Sequence, residues 1–346
     1  LSNQPRSNSR SVKLSVMEQG FLYNNVNAVD TLRQVTELAI HAEKAGYTRF
    51  WLPEHHNHPY RASSTPELLT AHIAALTSRL RVGSSGTLLP NHSALKITEN
   101  YSTLEAMFPH RIDLGLQQAL GTDELTAIAL HRARNPLAAE EFNEHLLDLL
   151  AFLSGSFAGD RAFSKIVVTP ALSTLPEVWL LDAGEGGAQL ATQYGLGLAF
   201  AHYAAPQLAV PVLAAYRKYF QPSSFHSSPK SMLIVSVICA ETDAEAEELA
   251  RAQDLYEIQL RSDELAPFPS HEEAQAYSFT EEEEAVRLTV RSQNLVGSAK
   301  RMAQSLKQLA EETGADEIMV STRIPNHEAR LRSYERLAQA WESEGL

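Results

Sequence analysis

A single cysteine, Cys239, stands among 346 residues. No internal disulfide can form, so the fold rests on its core and a reducing cytoplasm is the expected location. Cys239 follows the apolar run from Met232 to Ile238, where it reads as a small buried hydrophobe. Positive charge is also scarce: 29 Lys and Arg face 42 Asp and Glu, a formal net charge of -13. The basic residues form no concentrated stretch, which argues against a nucleic-acid partner. No apolar run reaches the roughly 18 residues of a membrane span. Leu1 to Ser11 is polar and lacks the apolar stretch of a signal peptide. Internal repeats and low-complexity linkers are missing too. What is present is a hydrophobic share of 44%, ample for a core, and the expectation is one domain over residues 1–346.

Short β-rich apolar runs alternate with amphipathic stretches. Strands are expected at Lys13 to Val16, Arg49 to Leu52, Leu80 to Gly83, Arg111 to Leu116, Val178 to Leu181, Leu196 to Ala201, Ser231 to Ala240 and Glu317 to Ser321. Helices are expected over Thr31 to Lys44, Pro66 to Ser78, Leu95 to Met107, Glu140 to Leu153 and Ala188 to Tyr194. Gly46 sits where a helix C-terminal glycine belongs. Strands alternating with helices predict an α/β fold, a (β/α)8 TIM barrel, with a doubly wound open sheet as the alternative. Two stretches exceed a minimal barrel and read as insertions after strands 4 and 7: Ser154 to Pro176, and the acidic Thr242 to Ser292 with Glu281 to Glu284. The second reads as solvated helices, or as a lid over the barrel mouth.

The run Glu54-His55-His56-Asn57-His58 directly follows Phe50-Trp51-Leu52. It places a carboxylate and three imidazoles at the C-terminal end of a strand, where barrel enzymes do their chemistry. Histidine suits proton movement near neutral pH. The plainer reading is that His55 and His56 only bond loop backbone. A metal site is a further reading, with Glu54, His55, His56, His58 and His92 as candidate ligands. Adjacent His55 and His56 on extended backbone point to opposite faces, which does not suit one ion, and no helical zinc spacing is present. No metal is expected. Phe21, Tyr23, Tyr60 and Tyr203 read as pocket lining or ordinary packing.

Several stretches together resemble the bacterial luciferase-like flavin-dependent monooxygenase family. They are Gly46-Tyr47 with Trp51 to Asn57, Thr77 to Gly86 with Leu89-Pro90-Asn91-His92, Thr103 to Ala106, Arg111 to Leu116, Gly121-Thr122-Asp123, Thr313 to Val320 and His327 to Leu331. The resemblance spans nearly the whole chain. It implies a (β/α)8 barrel, usually dimeric, that binds reduced flavin mononucleotide (FMN) or a deazaflavin at the barrel mouth and uses O2 to oxidise a small organic substrate. A flavin reductase would supply electrons. His55 matches the family's catalytic histidine; Glu54 and His56 are candidate catalytic residues beside it, Glu54 either to orient a histidine or to complete a buried network. Such chemistry needs controlled proton delivery and exclusion of water. Ser84, Ser85 and Gly86 match the small-residue loop under the flavin ring.

The phosphate end departs from that pattern. The family's Gly-Arg-Ala-Pro-Gly is here Gln117-Gln118-Ala119-Leu120-Gly121, so Gln118 takes the place of the phosphate-binding arginine. After the fifth strand the family's hydroxyl residues fall on Gly184 and Gly187. At about 1–3 kcal/mol per missing bond, the loss is roughly 3–8 kcal/mol, or about two to five orders of magnitude in affinity. The backbone N–H groups of Gly184, Gly186 and Gly187 still open a helix suited to an anion. However, Asp182 and Glu185 sit at that same N-terminus and can satisfy those groups themselves. FMN would then bind weakly, in another pose, or not at all. Three readings follow: a flavin-dependent monooxygenase, a non-catalytic partner subunit of a flavin-binding paralogue, or a flavin-independent enzyme on the same barrel. A homodimer and a heterodimer with a paralogue both fit the resemblance.

Overall fold

The computed structural model describes residues 11–23, 26–119, 121–131, 139–157, 162–171, 173–262 and 265–344. Leu1 to Arg10 of the polar N-terminal segment, and Leu120, lie outside it. Eight parallel strands close on themselves. They are β1 (Lys13–Met17), β2 (Arg49–Leu52), β3 (Arg81–Ser84), β4 (Ile112–Gln117), β5 (Glu177–Asp182), β6 (Gly197–Ala201), β7 (Ser231–Ala240) and β8 (Glu317–Ser321). β8 pairs with both β7 and β1, which makes a barrel and rules out the open sheet.

Alternation along the strands sorts the side chains into two cores. Val16, Phe50, Leu52, Val82, Leu114 and Leu116 face the surrounding helices. Met17, Trp51, Trp179, Ala199, Ile234 and Met319 fill the barrel itself. Below them is a charged floor. Arg49 donates from Nη1 to both oxygens of Asp113 (2.9 and 2.8 Å) and from Nε to both of Glu317 (3.0 Å each). Its Nη2 pairs with Glu177 at 3.1 Å. Burial works against the Arg49 charge, but the three carboxylates outweigh it and hold its pKa above the usual arginine range.

The helices follow the expected order. Helix α1 (Ala28–Lys44) starts where Asn27 Oδ1 accepts from Asp30 N (2.9 Å) and buries Val35, Leu38, Ala39 and Ala42. It stops before Gly46, whose φ of +90° few other residues tolerate. Helices α2 (Pro66–Leu76) and α3 (Ala94–Met107) complete the first part of the outer layer. Helices α4 (Glu124–His131) and α5 (Ala139–Ser154) lie between β4 and β5. Next come α6 (Glu185–Tyr194) and α7 (Ala209–Tyr219). The insertion after β7 carries α8 (Asp243–Gln259), α9 (His271–Ala276), α10 (Glu281–Arg291) and a short strand Leu295–Ser298 that pairs parallel with the second half of β7. Helices α11 (Ala299–Thr313) and α12 (His327–Ser343) flank β8. Among the described residues no helix is long and apolar enough to cross a membrane.

Two expectations need correction. The acidic insertion is more than solvated helix. Glu281 to Glu284 form the first turn of α10, closed by a capping box between Thr280 and Glu283. Arg287 and Arg291 then clamp α10 to the buried Asp254 of α8, with Arg291 Nε 3.0 Å from its Oδ1. Helix α6 also starts at Glu185 rather than Ala188, so the glycines expected to be a turn are its first helical turn.

Candidate functional site

The segment after β2 turns back along the segment after β1. Ala62 N donates to Gly20 O (2.8 Å), Leu22 N to Tyr60 O (2.9 Å) and His55 N to Ser63 O (2.8 Å). This short ladder fixes His55 and Arg61 at the barrel mouth. There they line a cavity of about 510 Å³ with Gln19, Tyr203, Tyr256 and Arg323. That size suits a small organic ligand. Tyr256, Glu257, Leu260 and Arg261 reach it from the α8 segment, and Val290, Gln293 and Asn294 from the end of α10. The insertion therefore forms one wall of the mouth. Tyr203 is a lining residue, whereas Phe21 and Tyr23 pack with Tyr256 and Phe268 in an aromatic cluster. Tyr60 lies edge-on to His58, their ring centroids 6.3 Å apart.

His55 Nε2 is buried and has no hydrogen-bond partner. Burial, then the positive charge of Arg61, push its pKa down to about 3. The imidazole is neutral at pH 7, and one of its nitrogens is left without a partner beside the cavity that the residue lines. At rest it holds no extra proton to donate.

Glu54 and His56 turn the other way, as the strand alternation predicts. Glu54 is 3% exposed. Its Oε1 accepts from His56 Nε2 and from His92 Nε2, both at 2.6 Å, and its Oε2 accepts from Leu88 N at 3.0 Å. Burial pushes the Glu54 carboxyl up, but these hydrogen bonds outweigh it and hold the pKa down at about 2. His92 is raised in turn, because its bond to Glu54 overcomes its own burial. Glu54, His56 and His92 present ligand atoms within 4.8 Å of one another, a spacing a divalent ion could use. The adjacent His55 and His56 do not share a site: His56 is grouped with His92, and His55 stands apart. The Nε2 atoms of His56 and His92 both already have Glu54 as their partner.

The loop after β3 is tightly packed. Ser84 Oγ donates to Gly115 O (2.9 Å) and accepts from Thr87 (3.0 Å), so it is used internally. Ser85 Oγ is buried without a partner. Gly86 has φ +117°, and a Cβ there would stand 2.7 Å from Gln117 Oε1 and 3.3 Å from Leu181 Cδ2. Leu181 belongs to the barrel interior, so this glycine lies over its upper end.

The family model described as luciferase-like monooxygenase matches residues 12–317. A luciferase-like monooxygenase of Escherichia coli strain K12 is 33% identical over 326 residues, 94% of this chain and 96% of its own. The chain belongs to the luciferase-like monooxygenase family. The crystal structure of apo-MsnO8 superposes with a TM-score of 0.86 at 35% identity, covering 96% of this chain and 98% of that one. The oxygenating constituent of 3,6-diketocamphane monooxygenase from Pseudomonas putida, solved in complex with FMN, shares the fold at a TM-score of 0.71 and 17% identity, covering 96% and 99% of the two chains.

In this luciferase-like chain the N-terminus of α6 is already occupied. Asp182 Oδ1 accepts from Ala183 N (2.7 Å) and Oδ2 from Gly187 N (2.5 Å). Gly187 packs so closely on Asp182 that a Cβ would stand 2.5 Å from the Asp182 Cβ. Gly184 and Gly186 are more open, but with no side-chain donor there the cradle has only backbone groups to offer. Glu185 is exposed and takes no part. Gln118 is exposed as well. A dianionic phosphate does not fit this cradle while Asp182 is charged. The expectation of an internal carboxylate cap is thus seen in Asp182, and not in Glu185. Arg61, Gln19, Tyr256 and Arg323 were missed by sequence reading. Arg61 was within reach of it, six residues after His55 in the same loop; the others meet His55 only through the fold.

Proposed function

We propose that this chain is a monooxygenase that oxidises a small organic substrate in the barrel-mouth cavity, using O2 and a reduced flavin, with His55 as the group that handles the proton. One observation carries the reading: His55 lines the cavity, and its buried Nε2 has no hydrogen-bond partner within the protein. Membership of the family supports the reaction class. The FMN of the diketocamphane enzyme supports the cofactor class. The α6 cradle does not, because Asp182 already fills it; Ser84 to Gly86 would lie beside a flavin ring. A flavin reductase as electron source belongs to the same proposal.

Asp182 favours a second reading, in which the chain is a partner subunit or a family member that does without FMN. Titration separates the two. Oxidised and anaerobically reduced FMN are added to the purified protein while fluorescence and absorbance are followed. Micromolar binding of the reduced form supports the first reading, and His55→Ala then abolishes turnover without abolishing binding. No binding at hundreds of micromolar overturns it in favour of the second.

A further inference from the structure

The cavity carries charge that the protein does not balance. Arg61 Nη1 donates to Gln19 O (3.3 Å) and Gln19 Oε1 (2.8 Å), and its guanidinium lies over the Phe21 ring at 3.6 Å. Its Nε is buried without a hydrogen-bond partner. Among the described residues no carboxylate pairs with it. Burial pushes its pKa down to about 10, which still leaves a cation at neutral pH. Arg323 Nη1 pairs with Glu257, but Arg323 Nε is buried without a partner too. Arg261 lines the same cavity. Three guanidiniums therefore meet one carboxylate around a cavity that His55 also lines.

A buried cation without a counter-charge is costly. This one is fixed in place by the ladder that also holds His55. The chain as a whole is strongly acidic, so bulk charge does not explain the excess. An oxyanion would satisfy it, because the guanidinium fork matches carboxylate and phosphate geometry.

We propose that the mouth cavity takes a molecule bearing an oxyanion, a carboxylate or a phosphate, with Arg61 as its counter-charge and Arg323 as a second donor. This rests on the reading of that cavity as the substrate site, but not on any particular chemistry there. The anion has two possible sources. It belongs to the substrate, or it is the cofactor phosphate that Asp182 keeps away from α6.

Calorimetry with two ligand pairs distinguishes them, with no turnover required. The first pair is phenylacetate and phenylacetamide; the second is FMN and riboflavin. In each pair the molecules share a body and differ in the anion. In the wild-type protein the anionic member of at least one pair is expected to bind about tenfold or more tightly than its neutral partner. Arg61→Gln is expected to bring that ratio to within about twofold, and Arg61→Lys to restore part of it. A preference confined to the first pair assigns the anion to the substrate, and one confined to the second assigns it to the cofactor. Neutral and anionic members binding equally in both pairs overturns the proposal. So does a preference that survives Arg61→Gln. If Arg61→Gln does not fold, the Arg61→Lys ratio decides, because it must fall below that of the wild type. Failure of the monooxygenase reading looks different: the anion still binds, but no oxidised product forms.

Discussion

His55 should make the protein sensitive to acid in a pH range where carboxylates are still charged. Its folded pKa of about 3 lies below the ordinary histidine value of 6.5. Between those two values the unfolded chain binds more protons than the folded one, so stability falls as pH falls. The full contribution is present above about pH 6.5 and is lost progressively toward pH 3. Worked from those two values, lowering the pH from 7 to 4 removes about 3 kcal/mol through His55 alone. Burial is the main cause, and the charges of Arg61, His58 and His56 add to it, while Glu54 opposes them. The perturbation is His55→Gln, which keeps a polar side chain and removes the titration. Urea unfolding of both proteins at pH 7, 6, 5 and 4 gives the difference directly, since the other titrating groups are common to both. At pH 7 the variant is expected within about 1 kcal/mol of wild type, having lost only local packing. At pH 4 it should be the more stable by about 2–3 kcal/mol. A difference that stays flat across the series would refute a neutral buried His55.

Three other perturbations test other parts of the molecule. Glu54→Gln removes a buried carboxylate held at a pKa of about 2, and is expected to cost about 2–4 kcal/mol in urea unfolding above pH 4.5. Because a lowered carboxyl pKa stabilises above its ordinary range and ceases to below the folded value, that cost must shrink toward pH 2; a constant cost would mean the charge is irrelevant. Asp182→Ser opens the α6 N-terminus, and FMN should then gain affinity relative to riboflavin in a fluorescence titration, at a stability cost of about 1 kcal/mol. No gain for FMN would show that Asp182 is not what keeps phosphate out. Arg49→Met leaves Glu317 in the barrel floor without its cation and Asp113 with Arg81 and Trp51 alone, and is expected to cost about 3–5 kcal/mol in unfolding free energy; a loss below about 1 kcal/mol would remove the case for the floor as an ionic network.

The barrel was legible because its strands differ from its helices in period. β2, β7 and β8 fall where the sequence places them, and the other strands within a residue at either end. The small slips have physical causes. Arg111, read as the start of the fourth strand, stands one residue before it: its carbonyl still accepts from Val82 N (2.8 Å), while its side chain donates to the carbonyls of Ala74, Thr77 and Leu80. The start of α6 was misplaced because Gly186-Gly187 looks like a turn until Asp182 is seen accepting from Gly187 N. The site was legible only in part. Strand alternation gave the opposite orientations of His55 and His56, but it says nothing about which distant groups each will meet. His92 reaches Glu54 across 38 positions of sequence, and Tyr256 and Arg323 reach the mouth from later strands and the insertion. Such meetings depend on loop paths that local patterns do not specify.

The two ends of this barrel treat arginine in opposite ways, and the contrast separates stability from binding. At the floor, Arg49, Arg81 and Lys230 face Asp113, Glu177 and Glu317, three charges of each sign. Every hydrogen-bonding arm of Arg49 has a carboxylate, so its charge is met within the protein. At the mouth, Arg61, Arg261 and Arg323 face Glu257 alone, and two guanidinium Nε atoms lack partners. A group whose partners are all internal should be felt as lost stability whether or not ligand is present. A group whose partner is missing should be felt as lost affinity, with little penalty to the free protein. Arg49→Met and Arg61→Gln therefore form a matched pair. The first should lower the melting temperature by the same amount with and without phenylacetate or FMN. The second should leave the free protein nearly as stable as wild type and abolish the stabilisation by the anion that binds, which follows directly from linkage. If Arg61→Gln instead unfolds the free protein as severely as Arg49→Met, the charge at the mouth is structural and the cavity has no special claim on an anion.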